Sequence, residues 1–237
     1  MTIAGLVPVS LVDYPGHVAV TLFTAGCDLR CPFCHNPDLV ASRPQAPVAV
    51  ADVLDLLRRR PAVTHVCVSG GEPTLHRDLP QLVDAVKSLG RKVKLDTCGS
   101  RPERLAQVLR AGLCDYVAMD IKTSWDRYLE LGPVPGSTCA RAAEWVRTLA
   151  PDYEFRTTVY PGVVDHAAVR SIAASIAGAR RYALQQFVAG PRLLDAQAAA
   201  VAPYRAAVLE DWARELSPLF AEPVQVRNTG LGTAAPA

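Results

Sequence analysis

"THVCVSGGEPTLHRDLPQLVDAVKSLGRKVKLDTCG", residues 64–99, is the stretch whose reading decides the fold. Residues 64–70 are an apolar, β-branched run that ends in glycine, which predicts a buried strand. Residues 78–90 place apolar side chains at helical spacing and stop at Gly90. Residues 92–99 return to strand character. A strand, a helix and a second strand in this order make a βαβ unit, which requires parallel strands and a right-handed crossover.

The same alternation extends in both directions. Strands are expected at 18–26, 114–122, 153–162 and 181–189. Helices are expected at 48–60, 102–112, 139–149, 165–177 and 197–216, the last interrupted near Pro203. The stretches 44–47 and 132–136 read as loops. Six strands alternating with helices form a parallel α/β sheet, too few for the closed eight-fold barrel. The pattern fits either a doubly wound sheet or a partial barrel. In both, functional groups gather at the C-terminal ends of the strands.

Composition narrows the setting. The 237 residues suit one α/β domain, expected over 1–227, with 228–237 as a disordered tail. The net charge of +2 gives no electrostatic case for a nucleic-acid partner. The N-terminus lacks a basic leader and no apolar run is long enough to cross a bilayer, so a cytoplasmic protein without a membrane partner is expected. Seven cysteines, an odd number, argue for metal or redox chemistry rather than a disulfide framework.

Four successive strands deliver distinctive tips to one rim. Strand 18–26 runs into "GCDLRCPFCHNP" (26–37); the next three end in "SGGEPT" (69–74), "DTCGS" (96–100) and "MDIK" (119–122). Cys27, Cys31 and Cys34 can hold three irons of a cubane cluster and leave a fourth open to a ligand. The competing reading is a zinc knuckle with His35 as fourth ligand, against which stands the adjacency of Cys34 and His35. Cys67, Cys114 and Cys139 are scattered and form no second cluster motif.

The C-x3-C-x2-C spacing, with Phe33 before the last cysteine, resembles the cluster loop of radical S-adenosylmethionine (SAM) enzymes. That resemblance implies a partial (β/α)6 barrel, a [4Fe-4S] cluster on Cys27, Cys31 and Cys34, and SAM chelating the open iron. It also implies a 5′-deoxyadenosyl radical that takes hydrogen from a substrate. The wider stretch 10–40, "SLVDYPGHVAVTLFTAGCDLRCPFCHNPDLV", is similar to activators of glycyl-radical enzymes, above all those of the anaerobic ribonucleoside-triphosphate reductase.

On that resemblance the cofactor contacts are Asn36, Gly70, Gly71, Glu72, Asp96, Thr97, Asp120, Lys122, Thr158 and Gln186. "GGEP" (70–73) would line the methionine end, the glycines letting backbone approach the ligand and Glu72 accepting from its ammonium. Asp96 and Asp120 would lie near the methionine carboxylate, with a monovalent cation between like charges. "FRTTVYPGVVD" (155–165) would turn Arg156 and Thr158 toward the pocket. In "LQQF" (184–187), Gln185 and Gln186 stand where the formate-lyase activators carry a histidine. Cys98 replaces an asparagine and reads as a small buried residue. The chain shows no glycyl-radical segment and no ferredoxin-like insert, so it is expected to activate another chain, with a low-potential donor such as flavodoxin. A small molecule or nucleoside is the alternative substrate.

Overall fold

The computed structural model describes residues 1–41 and 46–229. Eight strands form one sheet: β1 (Ile3–Tyr14), β2 (His17–Thr24), β3 (His65–Gly70), β4 (Lys92–Thr97), β5 (Tyr116–Asp120), β6 (Tyr153–Val159), β7 (Tyr182–Gln186) and β8 (Gln225–Arg227). They lie side by side in chain order. β1 is antiparallel to β2, and every later neighbour is parallel. The α-helices are α1 (Pro37–Val40), α2 (Val50–Arg59), α3 (Leu79–Ser88), α4 (Pro102–Arg110), α5 (Gly136–Leu149), α6 (His166–Ser175) and α7 (Ala206–Leu216).

Strict sequential order resolves the ambiguity left by the pattern. Right-handed crossovers that all step the same way put every helix on one face. A doubly wound sheet needs a reversal of strand order, and none occurs among the described residues. The helix-covered face is apolar: Val66, Val68, Val93, Leu95, Val117, Met119 and Phe155 are buried in one cluster with the helices. The alternate residues face the other way, as the two-residue period of a strand dictates. They include Lys94, 2 % exposed, and Glu154, 1 % exposed. With the helices outside, these charges are hidden because the sheet curls around them. No pairing joins β1 to β8 among the described residues, so the barrel is partial.

The six expected strands are present as β2 to β7. Two more were not legible. β1 carries Gly5 and Pro8 and pairs with β2 through repeated register shifts, so its sequence lacks a clean alternation. β8 has three residues and owes its existence to pairing with β7. The final helix is interrupted as expected, into a 3-10 turn at Ala196–Ala200 and α7. Asn228 and Thr229, read as the start of a tail, follow β8 in place; the rest of that tail and residues 42–45 of the proline-rich loop lie outside the described residues. Among the described residues no helix is long and apolar enough to cross a membrane.

Candidate active site

β2 ends at Thr24, and the cysteine loop begins at once. It is held by backbone bonds rather than by regular structure. Gly26 N donates to Leu39 O (2.6 Å), Cys34 N to Cys31 O (3.0 Å), and the Arg30 guanidinium to Cys27 O (2.7 Å). From the far side of the barrel, Leu194 N and Asp195 N donate to Cys34 O and Pro32 O (3.0 and 3.1 Å). Phe33 is buried against Tyr160 (ring centroids 5.3 Å), which packs edge-on against Phe187 (4.8 Å). The aromatic before the last cysteine is therefore the loop's anchor.

Cys27, Cys31 and Cys34 line one cavity of about 280 Å³. Asn36, Gly70, Gly71, Asp96, Thr97, Asp120, Lys122, Thr158, Gln185 and Gln186 line it too. The strand tips named from sequence thus converge on one space. No three His, Cys, Asp or Glu side chains among the described residues converge as a single metal ion would require. A cubane cluster does not require that convergence, because its thiolates are spread over separate irons.

The electrostatics set burial, which opposes the thiolate form, against a nearby cation. Burial pushes the Cys31 thiol up to about 12 and raises Cys34, and the Lys122 ammonium opposes both. Cys27 is drawn below its ordinary range, chiefly by a hydrogen bond from Cys98, with Lys122 again assisting. Burial alone would depress Lys122, but Asp120 (3.1 Å) more than offsets it. Burial alone would raise Asp120, yet Arg156 (2.8 Å) and Lys122 hold it well below the usual carboxylate range.

Several of the residues named from sequence make contacts within the protein. The glycines of "GGEP" are required by protein backbone. A Cβ on Gly71 would stand 1.9 Å from Gly26 O, and one on Gly70 would stand 2.3 Å from Thr24 N. Gly70 also has φ +112°, which disfavours any side chain. The motif is pressed onto the start of the cysteine loop, with Gly71 N donating to Thr24 O (2.9 Å) and Glu72 N to Gly26 O (2.7 Å).

Glu72 is fully buried and does not line the cavity. Its carboxylate accepts from Thr74 N (2.9 Å), Thr74 Oγ1, Thr97 Oγ1 (2.8 Å) and Cys98 N (2.6 Å). It ties the β3 tip to the β4 tip. Arg156 likewise lies outside the cavity lining, where it bridges Asp120 and Asp96 (2.8 and 3.5 Å). Lys94 pairs with Asp96 on the other side. The two carboxylates are thus neutralised by the chain's own cations.

Several lining residues were missed, among them Leu29, Val40, Ser69, Val188, Cys98 and Asn228. Cys98 is buried as expected, but it borders the cavity alongside Cys27, whose thiol it draws down. Asn228, with φ +64°, enters the lining just after β8. Cys98 stood in a quoted motif; nothing in "NTGLG" marked Asn228. Cys67, Cys114 and Cys139 are buried and lie outside the lining.

A curled parallel sheet whose first parallel strand hands a three-cysteine loop to the rim defines an enzyme core built for an iron–sulfur cluster and a ligand beside it. The family model described as "Radical SAM superfamily" matches residues 21–173, and the chain belongs to that superfamily. The family implies SAM and a [4Fe-4S] cluster, and the three thiols and the polar wall opposite them fit that pair. A protein of Methanocaldococcus jannaschii named "Putative glycyl-radical enzyme activating enzyme" is 30 % identical over 195 residues, 78 % of this chain and 79 % of that one. The pyruvate formate-lyase-activating enzyme of Streptococcus mutans is 29 % identical over 65 % of this chain and 63 % of its own. The 7-carboxy-7-deazaguanine synthase of Rhodopirellula baltica is 33 % identical over 37 % of this chain and 34 % of its own. Among solved structures, Streptococcus suis SuiB bound to SAM superposes with TM-score 0.65 at 15 % identity, covering 86 % of this chain and 48 % of that one. The chain spans about half the length of SuiB, and that likeness concerns the fold.

Proposed function

We propose that the chain is a radical SAM activase that generates a glycyl radical on a partner enzyme, with the anaerobic ribonucleoside-triphosphate reductase as the partner. The observation that carries this reading is the similarity to a glycyl-radical enzyme activating enzyme along about four-fifths of both chains. The deazaguanine synthases match little more than a third of this chain.

Cys27, Cys31 and Cys34 would hold the cluster, and Asn36, Gly70, Gly71, Asp96, Thr97, Asp120, Lys122, Thr158 and Gln186 would surround SAM. When bound, that pair supplies one-electron cleavage of the sulfonium and hence a primary alkyl radical able to take a glycine α-hydrogen. The chain's own groups do the rest. Lys122 favours the thiolate form of all three ligands. Thr158 and Gln185 (3.5 Å apart) and Gln186 present amide and hydroxyl groups on the wall opposite the cysteines. Arg156, Lys94 and Lys122 satisfy Asp96 and Asp120, so the proposal includes no monovalent cation. The open barrel edge is where a partner's glycine loop would enter, and a low-potential donor such as flavodoxin would supply the electron.

Anaerobic reconstitution with iron and sulfide, then incubation with SAM, reductant and the candidate reductase, tests the reading. The expected result is 5′-deoxyadenosine together with a glycyl doublet in the electron paramagnetic resonance spectrum of the partner. Deoxyadenosine without a doublet, released instead on adding a nucleoside or other small molecule, would transfer the chain to the alternative substrate class.

A further inference from the structure

A second cavity, of about 550 Å³, lies between the 3-10 turn Pro73–Leu75 and the start of α4. We propose that it is a binding site for a phosphoryl oxyanion of a small molecule. Its lining includes four arginines, Arg77, Arg101, Arg104 and Arg141. Two of them have carboxylate partners: Arg101 meets Asp28 (3.1 Å), and Arg141 meets Glu103 (2.7 Å), itself a lining residue. Among the described residues Arg77 and Arg104 pair with no carboxylate. The cavity therefore keeps two uncompensated guanidinium charges.

The position of these charges is unfavourable for the empty protein. A helix N-terminus is already electropositive, and its first amides have no intrahelical acceptor. In α4 the residue before the helix is Arg101, which makes no side-chain cap; Glu103, in the first turn, is taken up by Arg141, and Arg104 follows it. Independent of the helix, Ser100 lines the cavity at 2 % exposure, and its hydroxyl has no hydrogen-bond partner among the described residues. The buried Arg104 Nε also lacks a partner, although its Nη1 donates to Arg77 O (3.1 Å). Buried polar atoms left unpaired cost about 1–3 kcal/mol each, so their presence beside excess charge needs an explanation. An anion with several acceptor oxygens supplies one. Guanidinium forks match phosphoryl oxygens two at a time, and Ser100 and Thr138 add hydroxyl donors. The volume exceeds that of a lone phosphate and suits a phosphate chain.

The site is independent of the activase reading, and its test needs no cofactor. The full chain is titrated calorimetrically in phosphate-free, low-salt buffer with inorganic phosphate, tripolyphosphate and a nucleoside triphosphate. Saturable binding is expected, weakening as salt rises, and at least tenfold weaker in Arg104→Gln and in the exposed Arg77→Gln. Tighter binding of the nucleotide than of tripolyphosphate would show that the base is also held; equal binding would show that the phosphates alone are recognised. If Arg104→Gln fails to fold, Arg77→Gln decides alone. Absence of saturable binding at millimolar ligand, binding unchanged in the folded variants, or displacement of the anion by SAM would each overturn the proposal; the last would place the anion in the cysteine-lined cavity.

Discussion

Replacing Glu72 by glutamine separates two accounts of the "GGEP" motif. If Glu72 acts on a ligand, the substitution weakens SAM binding and leaves the ligand-free protein intact. The structure says otherwise. One carboxylate oxygen accepts from Thr74 N and the other from Cys98 N, at 2.9 and 2.6 Å. The hydroxyls of Thr74 and Thr97 can turn to suit an amide, but the two backbone N–H groups cannot. Whichever way the glutamine amide is placed, its NH₂ meets one backbone donor. That loses a charge-assisted hydrogen bond and strands a buried N–H, together about 3 kcal/mol. For a chain of this size such a loss lowers the melting temperature by roughly 6–12 °C. Thermal unfolding of the cluster-free protein without SAM, followed by circular dichroism, reads the effect directly. A melting temperature within about 2 °C of the parent, combined with lost SAM affinity, would refute the assignment of Glu72 as a tie between the β3 and β4 tips.

Alanine at Cys27, Cys31 or Cys34 should abolish cluster assembly, while serine at Cys67, Cys114 or Cys139 should leave iron content unchanged; iron and sulfide analysis after anaerobic reconstitution decides. Cys98→Ala removes the hydrogen bond that lowers the Cys27 pKa, so alkylation of Cys27 in the cluster-free protein should need higher pH, whereas Cys98→Ser should stay near the parent. Arg156→Met should cost about 2–3 kcal/mol, because Asp96 and Asp120 lose their shared guanidinium but keep Lys94 and Lys122, measured by urea unfolding. Asp96 and Asp120 have folded pKa values below their unfolded ones, so their contribution is present above about pH 4 and is lost as pH falls through the folded values. Arg156→Met should therefore flatten the fall of stability below that pH.

The alternation of strand and helix from residue 18 to 189 is local physics: apolar period, β-branching and glycine stops such as Gly90 and Gly112, both found with positive φ. It determined β2 to β7 and the helices between them. Because strand tips gather at one rim in any such sheet, the convergence of the cysteine loop, "GGEP", "DTCG" and "DIK" was also legible. Tertiary structure alone decided which way each group turned. Glu72, Arg156 and the two motif glycines carry residue types expected of a ligand wall, yet they contact protein. Whether a carboxylate meets a ligand or a neighbouring loop depends on which donors lie within about 3 Å, and those donors come from residues 25 positions away in Thr97 and 36 positions away between Asp120 and Arg156. Non-local pairing likewise made a strand of the irregular β1 and the three-residue β8, and brought Cys98 against Cys27 and Asn228 into the cavity lining. A chain's local pattern encodes its elements, but the partners of a buried polar group are set only once distant segments are packed together.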